Sequence, residues 1–175
     1  MSQRDSGYER KERDLYETPA WVTEAVLPHL PFVYQGRVWE PACGSGKMLK
    51  VLHDRCGEYV CGTDIVEGTD FLACHKAHDV SGIVTNPPYV HAQQFCEKAI
   101  TLMEPVSGFA AMLLRTDFDH AKTRQHLFKR PFSKKVVLTK RIKWFEDSKG
   151  QPSFNHAWFI WDWKHQGAPT LAYAP

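Results

Sequence analysis

Between Arg37 and Leu114 short apolar runs alternate with segments of helical spacing, and that alternation confines the chain to a sheet with helices packed against it. Arg37 to Pro41 reads as a short strand and Lys47 to Arg55 as a helix burying Met48, Leu49, Val51 and Leu52. Glu58 to Asp64 is a second strand, and Ile83 to Thr85 a third that ends on Asn86. His91 to Met103 follows as a helix with Phe95, Ala99 and Leu102 on one face. Phe109 to Leu114, an unbroken apolar run between Gly108 and Arg115, has the composition of a strand covered on both faces. Ahead of this series, Thr18 and Pro19 read as the cap and first residue of a helix striped by Trp21, Ala25 and Val26 and closed by Pro28 and Pro31. After it, Phe118 to Lys129 is expected to be helical. Lys135 to Trp144 and His156 to Trp163 are expected to pair antiparallel across the polar stretch 147–153.

The expected fold is therefore α/β, a Rossmann-like doubly wound and mostly parallel sheet with an antiparallel C-terminal edge. At 175 residues the chain suits one domain, expected over 15–165, with a charged arm at 1–14 and a tail at 166–175. Its apolar content of 43% excludes disorder of the whole. A net charge of +2 is compatible with a nucleic-acid partner without requiring one. No run approaches the ~20 apolar residues of a membrane span, and the polar start lacks the apolar centre of a signal peptide. A cytoplasmic protein with no membrane partner is expected. Five cysteines without a C-x-x-C pair argue against a disulfide framework or a zinc knuckle, and Cys74, His75 and His78 lack a second pair of ligands, so no metal is expected.

Ligands of doubly wound folds bind at the carboxyl ends of the strands, and three such ends carry unusual residues. The first is Glu40-Pro41-Ala42-Cys43-Gly44-Ser45-Gly46. Its glycines let the backbone turn sharply and approach a ligand, and the next helix presents free N–H groups. With no Lys-Ser/Thr ending and Leu at position 49, a phosphate cradle is less fitting than a ligand carrying a carboxylate and a ribose. The second is Asp64-Ile65, eighteen positions beyond Gly46, where an acid accepts from ribose hydroxyls or simply ends a turn. Asp70-Phe71 beyond it offers a carboxylate to an adenine amino group and a ring to pack on its face, or else a helix cap.

The third end, Thr85-Asn86-Pro87-Pro88-Tyr89, resists a purely structural explanation. Two prolines remove two backbone donors and hold the chain extended, leaving carbonyls unpaired. The Asn86 side-chain oxygen and the Pro87 carbonyl can both accept from one –NH₂ group, while Tyr89 offers a face to a planar ring. An amino group conjugated to a ring is a poor nucleophile because its lone pair is delocalised. Two acceptors pulling on its hydrogens localise that pair without a strong base.

Together Glu40 to Gly46, Asp64, Asp70-Phe71 and Asn86 to Tyr89 resemble the cofactor and catalytic motifs of class I, amino-directed methyltransferases that use S-adenosylmethionine. Among these the chain most resembles small bacterial and phage DNA adenine-N6 methyltransferases. Tyr16-Glu17-Thr18-Pro19 resembles the segment that packs beside the methionine end of the cofactor in those enzymes, and its place before the glycine turn matches the gamma order of motifs. The resemblance covers roughly residues 15 to 163 and implies methylation of adenine N6 in DNA, with Tyr89 stacking on an extruded base. These residues hold no large target-recognition region, which leaves target choice relaxed, supplied by a partner protein, or built from short elements.

Candidates for those elements are Arg115 at a strand end and Lys140-Arg141-Ile142-Lys143-Trp144-Phe145, where basic and aromatic residues interleave. Arg141 and Lys143 are favoured as substrate contacts, whereas Lys122 to Lys135 suits a solvated face and Trp158, Trp161 and Trp163 suit sheet packing. The same tetrapeptide serves enzymes that methylate guanine N2 in ribosomal RNA or a glutamine amide in protein, so RNA (adenine N6 or guanine N2) and a protein glutamine amide are the alternative acceptors. An inactive nucleic-acid-binding module on the same fold is the alternative of a different class.

Overall fold

The computed structural model describes residues 16–31, 36–77, 79–144 and 154–175. The readings made above for residues 1–14, His78, Phe145 and 147–153 lie outside them. Seven strands form one sheet: β1 (Arg37–Glu40), β2 (Val60–Gly62), β3 (Val80–Thr85), β4 (Phe109–Arg115), β5 (Phe132–Leu138), β6 (His156–Asp162) and β7 (Thr170–Ala174). Their order is β2-β1-β3-β4-β6-β5-β7. β1 pairs in parallel with β2 and β3, β3 with β4, and β5 with β7, while β6 alone runs antiparallel, between β4 and β5. This is the doubly wound, mostly parallel sheet expected from the alternation of strands and helices.

Alternation along the central strands produces two cores. Phe109, Ala111 and Leu113 of β4 join Trp158 and Ile160 of β6 on one face, beneath α1 (Ala20–Val26) and α2 (Lys47–Cys56). Ala110, Met112 and Leu114 join Ala157, Phe159 and Trp161 on the other, beneath α3 (Ala92–Met103). The two buried indoles of β6 bond across the layers: Trp158 Nε1 donates to the Val22 carbonyl and Trp161 Nε1 to the Leu127 carbonyl, each at 2.9 Å. Trp158 and Trp161 are thus packing residues, as expected.

Several local expectations are corrected. Thr18 does not cap α1; the cap position is Pro19, extended at φ −60° and ψ 146°, and Val22 N donates to its carbonyl. Phe118 to Lys129 is not an α-helix but two 3-10 segments, Phe118–His120 and Lys122–Lys129, separated by an extended Ala121. Within Lys122–Lys129 only Leu127 is buried, so no apolar stripe repays the regular helix. The strand placed at Lys135 to Trp144 lies earlier, at Phe132–Leu138, because its ladder with β6 runs from Phe132↔Trp161 to Val137↔Ala157. The stretch read as a tail contributes β7, parallel to β5.

Gly82 of β3 faces Phe109 so closely that an added Cβ would fall within the ring. Gly82→Ala is expected to destabilise the fold by about 1–3 kcal/mol, since the buried Phe109 must leave its position. Urea unfolding of the variant against the parent measures the loss.

Candidate active site

β1 and β3 are adjacent, yet the chain leaves them toward opposite sides of the sheet, and a cleft of about 780 Å³ opens at their carboxyl ends. It gathers most of the residues singled out from sequence: Thr18, Glu40, Pro41, Cys43, Gly44, Asp64, Ile65, Asp70, Phe71 and Asn86. Pro19 and Gly46 do not line it. Gly46 instead caps α2 with φ +81°, and Gly44 turns with φ +50°, conformations that disfavour a side chain. The cleft also includes residues that sequence reasoning passed over, among them Lys47, Val66, Val90 and His91. Ile65, Val66 and Val90 leave large apolar surfaces exposed at its walls.

The Asp64 carboxylate organises the glycine turn. Its Oδ2 accepts from Gly44 N at 2.9 Å and its Oδ1 from Val66 N at 3.0 Å, so it ties the end of β2 to the end of β1. Asp70 accepts from Leu72 N at 2.9 Å and caps a 3-10 turn, as one of its two readings expected, and its exposed side chain borders the cleft. Phe71 is buried, edge-on to Trp39 and tilted against Phe95, at the lining of the cleft.

Glu40 is the unusual group. It is 2% exposed, and its Oε2 has no hydrogen-bond partner among the described residues. Burial pushes its carboxyl up to about 8, the nearby Asp64 charge adds to the rise, and a hydrogen bond from the Leu49 backbone opposes it. Burial and the charges of Glu40, Glu67 and Asp64 likewise push the Cys43 thiol up to about 11, so it is not a nucleophile at neutral pH.

At the end of β3, Asn86 Nδ2 donates to the Tyr16 carbonyl at 3.3 Å. Only the –NH₂ arm can donate, so this bond fixes the amide orientation and leaves Oδ1 as an acceptor with no bond among the described residues. Asn86 and Pro88 line the cleft, whereas Pro87 is buried and the half-buried Tyr89 stands beside it. The Tyr89 ring lies 5.4 Å from that of Tyr16 and 6.4 Å from that of Trp144, and its hydroxyl meets His156 Nε2 at 2.9 Å. Trp144 belongs to the interleaved stretch singled out from sequence, whereas His156 carries no sequence signal for this cluster beyond its residue type.

The three cationic substrate candidates lie outside the cleft. Arg115 makes a two-point contact with Asp117, at 3.1 and 2.7 Å, and stacks over Phe154 at 4.0 Å. Arg141 Nε donates to Asn155 Oδ1 at 2.9 Å, and Lys143 is exposed next to Trp144. In the stretch 122–135, Arg124 covers Phe118, Arg130 pairs with Glu104, and Lys135 bonds Asp119 and the Thr116 carbonyl. No helix among the described residues is long and apolar enough to cross a membrane.

The raised carboxyl makes a prediction about Glu40. The folded protein holds a proton there that the unfolded chain releases in the ordinary carboxylate range, so this group's contribution to stability falls as pH rises from that range to about 8. Glu40→Gln is therefore expected to melt at a higher temperature than the parent, with a gap that widens up to about pH 8 and then levels. Thermal melts across pH test it; a gap that narrows as pH rises contradicts it.

No family model matches the chain, and no curated protein does. Solved structures share its fold. One is the methyltransferase subunit of a type I restriction-modification system from Streptococcus thermophilus, at 14% identity and TM-score 0.61, over 86% of this chain and 45% of that one. A protein of Listeria monocytogenes described as a class I S-adenosylmethionine-dependent methyltransferase aligns at 12% identity and TM-score 0.59, over 89% and 63%. An S-adenosylmethionine-dependent O-methyltransferase from Thermotoga maritima aligns at 13% identity and TM-score 0.54, over 83% and 66%. The chain spans less than two thirds of each of these proteins. The fold is that of the class I methyltransferases.

Proposed function

We propose that the chain transfers a methyl group from S-adenosylmethionine to an exocyclic amino nitrogen, with N6 of adenine in DNA as the acceptor. The fold does not choose the acceptor, since an O-methyltransferase shares it. The observation that carries the reading is the Asn86 amide, held by the Tyr16 carbonyl so that its oxygen accepts at the end of the strand that closes the cleft. A nucleic-acid substrate also accords with the restriction-modification subunit among the structures of this fold.

The cleft fits the cofactor. A buried carboxylate oxygen without a partner calls for a cation, and Glu40 would meet the amino group of the methionine end. Asp64 would face the ribose, Ile65 and Val66 would cover the adenine ring, and Asp70 would reach its amino group. Thr18 and the glycine turn border the same space. When bound, S-adenosylmethionine supplies an electrophilic methyl group on a positively charged sulfur. Asn86 Oδ1 and the Pro87 carbonyl would accept both hydrogens of the target –NH₂ and localise its lone pair along the line of attack. Tyr89 would stack on the base, which must leave the duplex or come from a single strand. Arg115, Arg141 and Lys143 flank Tyr89's side and are proposed to meet the polymer, with a partner protein as a further source of target choice.

Incubation with isotopically labelled S-adenosylmethionine and duplex DNA, single-stranded DNA, RNA or protein, followed by digestion and mass spectrometry, tests the proposal. N6-methyladenine in DNA is expected, with a loss of roughly 100-fold or more in Asn86→Ala. Label on guanine or a glutamine amide would move the acceptor. The absence of both label and binding heat would sink the proposal.

Cofactor binding provides a second check. A cation meets Glu40 only in its ionised form, so affinity measured by calorimetry should rise with pH toward about 8, with proton release at lower pH. Glu40→Gln should weaken binding at least about tenfold and flatten that dependence.

A further inference from the structure

We propose that His156 is a positioning residue for this reaction: it holds the hydroxyl of Tyr89 and thereby sets where the stacking ring points beside Asn86. The inference rests on the methyl-transfer reading above and names a residue which that reading does not use.

β6 is an apolar strand, with Ala157, Trp158, Phe159, Ile160 and Trp161 all buried, and His156 opens it at 2% exposure. An imidazole in such a place is costly unless a partner satisfies it. At Nε2 that partner is the Tyr89 hydroxyl, 2.9 Å away and 67 positions distant in the chain, while Nδ1 has no hydrogen-bond partner among the described residues. Burial pushes the imidazole down to about 4, and the Arg115 charge across the ladder adds to the fall, while the Phe154 backbone and Asp117 act the other way. The ring is therefore neutral at physiological pH, and its Nε2 can accept the tyrosine O–H.

The contact supplies what packing alone does not. The tyrosine hydroxyl lies on the ring's long axis, so a bond there fixes the direction of that axis. Tyr16 at an interplanar angle of 57° and Trp144 at 86° flank the ring and limit its tilt about the axis. Three groups from distant parts of the chain thus define one aromatic face next to the Asn86 amide. Trp144 also sits edge-on to the imidazole, 5.3 Å between ring centroids, which closes the cluster around His156.

The test compares the full chain with His156→Phe, His156→Gln, Tyr89→Phe and the double variant His156→Phe/Tyr89→Phe. Phenylalanine keeps the packing of the imidazole and removes the acceptor; glutamine returns an acceptor. Methyl transfer to DNA in His156→Phe is expected to lose roughly 10- to 100-fold in kcat. S-adenosylmethionine affinity by calorimetry should stay unchanged, and His156→Gln should recover most of the rate. The double variant should be no slower than the slower single one, because both remove the same bond.

Wild-type kcat in His156→Phe overturns the inference, and so do losses that multiply in the double variant. If His156→Phe does not fold, Tyr89→Phe decides, and wild-type kcat there overturns it equally. A parent protein that methylates none of the substrates overturns the methyl-transfer reading and this inference with it. An active parent with indifferent variants overturns the inference alone.

Discussion

The parallel pairing of β1 with β3 is the constraint on which the site depends. The chain leaves the two strands toward opposite faces, α2 on one side and α3 on the other, so among the described residues a cleft opens at the ends of the strands between them. Glu40 ends one strand, Asn86 follows the other, and Asp64 reaches across from β2 to the Gly44 N–H. Two acids are thereby brought together in a place that water enters poorly, and burial with like charge lifts one of them. The fold offsets this cost in the free protein by keeping a proton on Glu40. A cationic ligand would relieve it, which makes the cleft's electrostatics a property of the strand order.

Much of this was legible because the signals are local. A glycine turn after a strand, an acid at the next strand's end and two prolines after the third each constrain backbone within a few residues, and each stands at the sheet edge where such turns belong. The misplacements share the opposite character. Lys122–Lys129 has a composition equally suited to an α-helix, but the segment buries only Leu127, which gives a regular helix no apolar stripe to pack. β7 shows no alternation of apolar residues, with Leu171 and Tyr173 both exposed, and is held by its backbone ladder to β5.

The aromatic cluster was hidden for a related reason. Tyr16, Tyr89, Trp144 and His156 come from four separate segments, and a lone histidine opening an apolar strand looks like any other polar terminus until the partner is known. Arg115 was read as a substrate contact at a strand end, and Arg141 as one within the interleaved basic and aromatic stretch 140–145. Folding gives each a neighbour: Asp117 and the Phe154 ring for the first, Asn155 for the second. Part of their hydrogen-bonding capacity is thus taken up within the fold, for Arg115 beside its ladder partner His156 and for Arg141 on Asn155.

The short segment Tyr16–Thr18 joins the two halves of the site. Thr18 and Glu17 border the acidic cleft, with Glu17 paired to Lys47 at 2.7 Å, while the Tyr16 ring touches Tyr89 and Trp144 at 5.4 and 5.5 Å. Between them the Tyr16 carbonyl holds the Asn86 amide. Because that acceptor belongs to the backbone, no side-chain replacement at position 16 deletes it; only displacement of the segment does. Orientation of the Asn86 oxygen is therefore tied to the path of the chain past the cleft mouth.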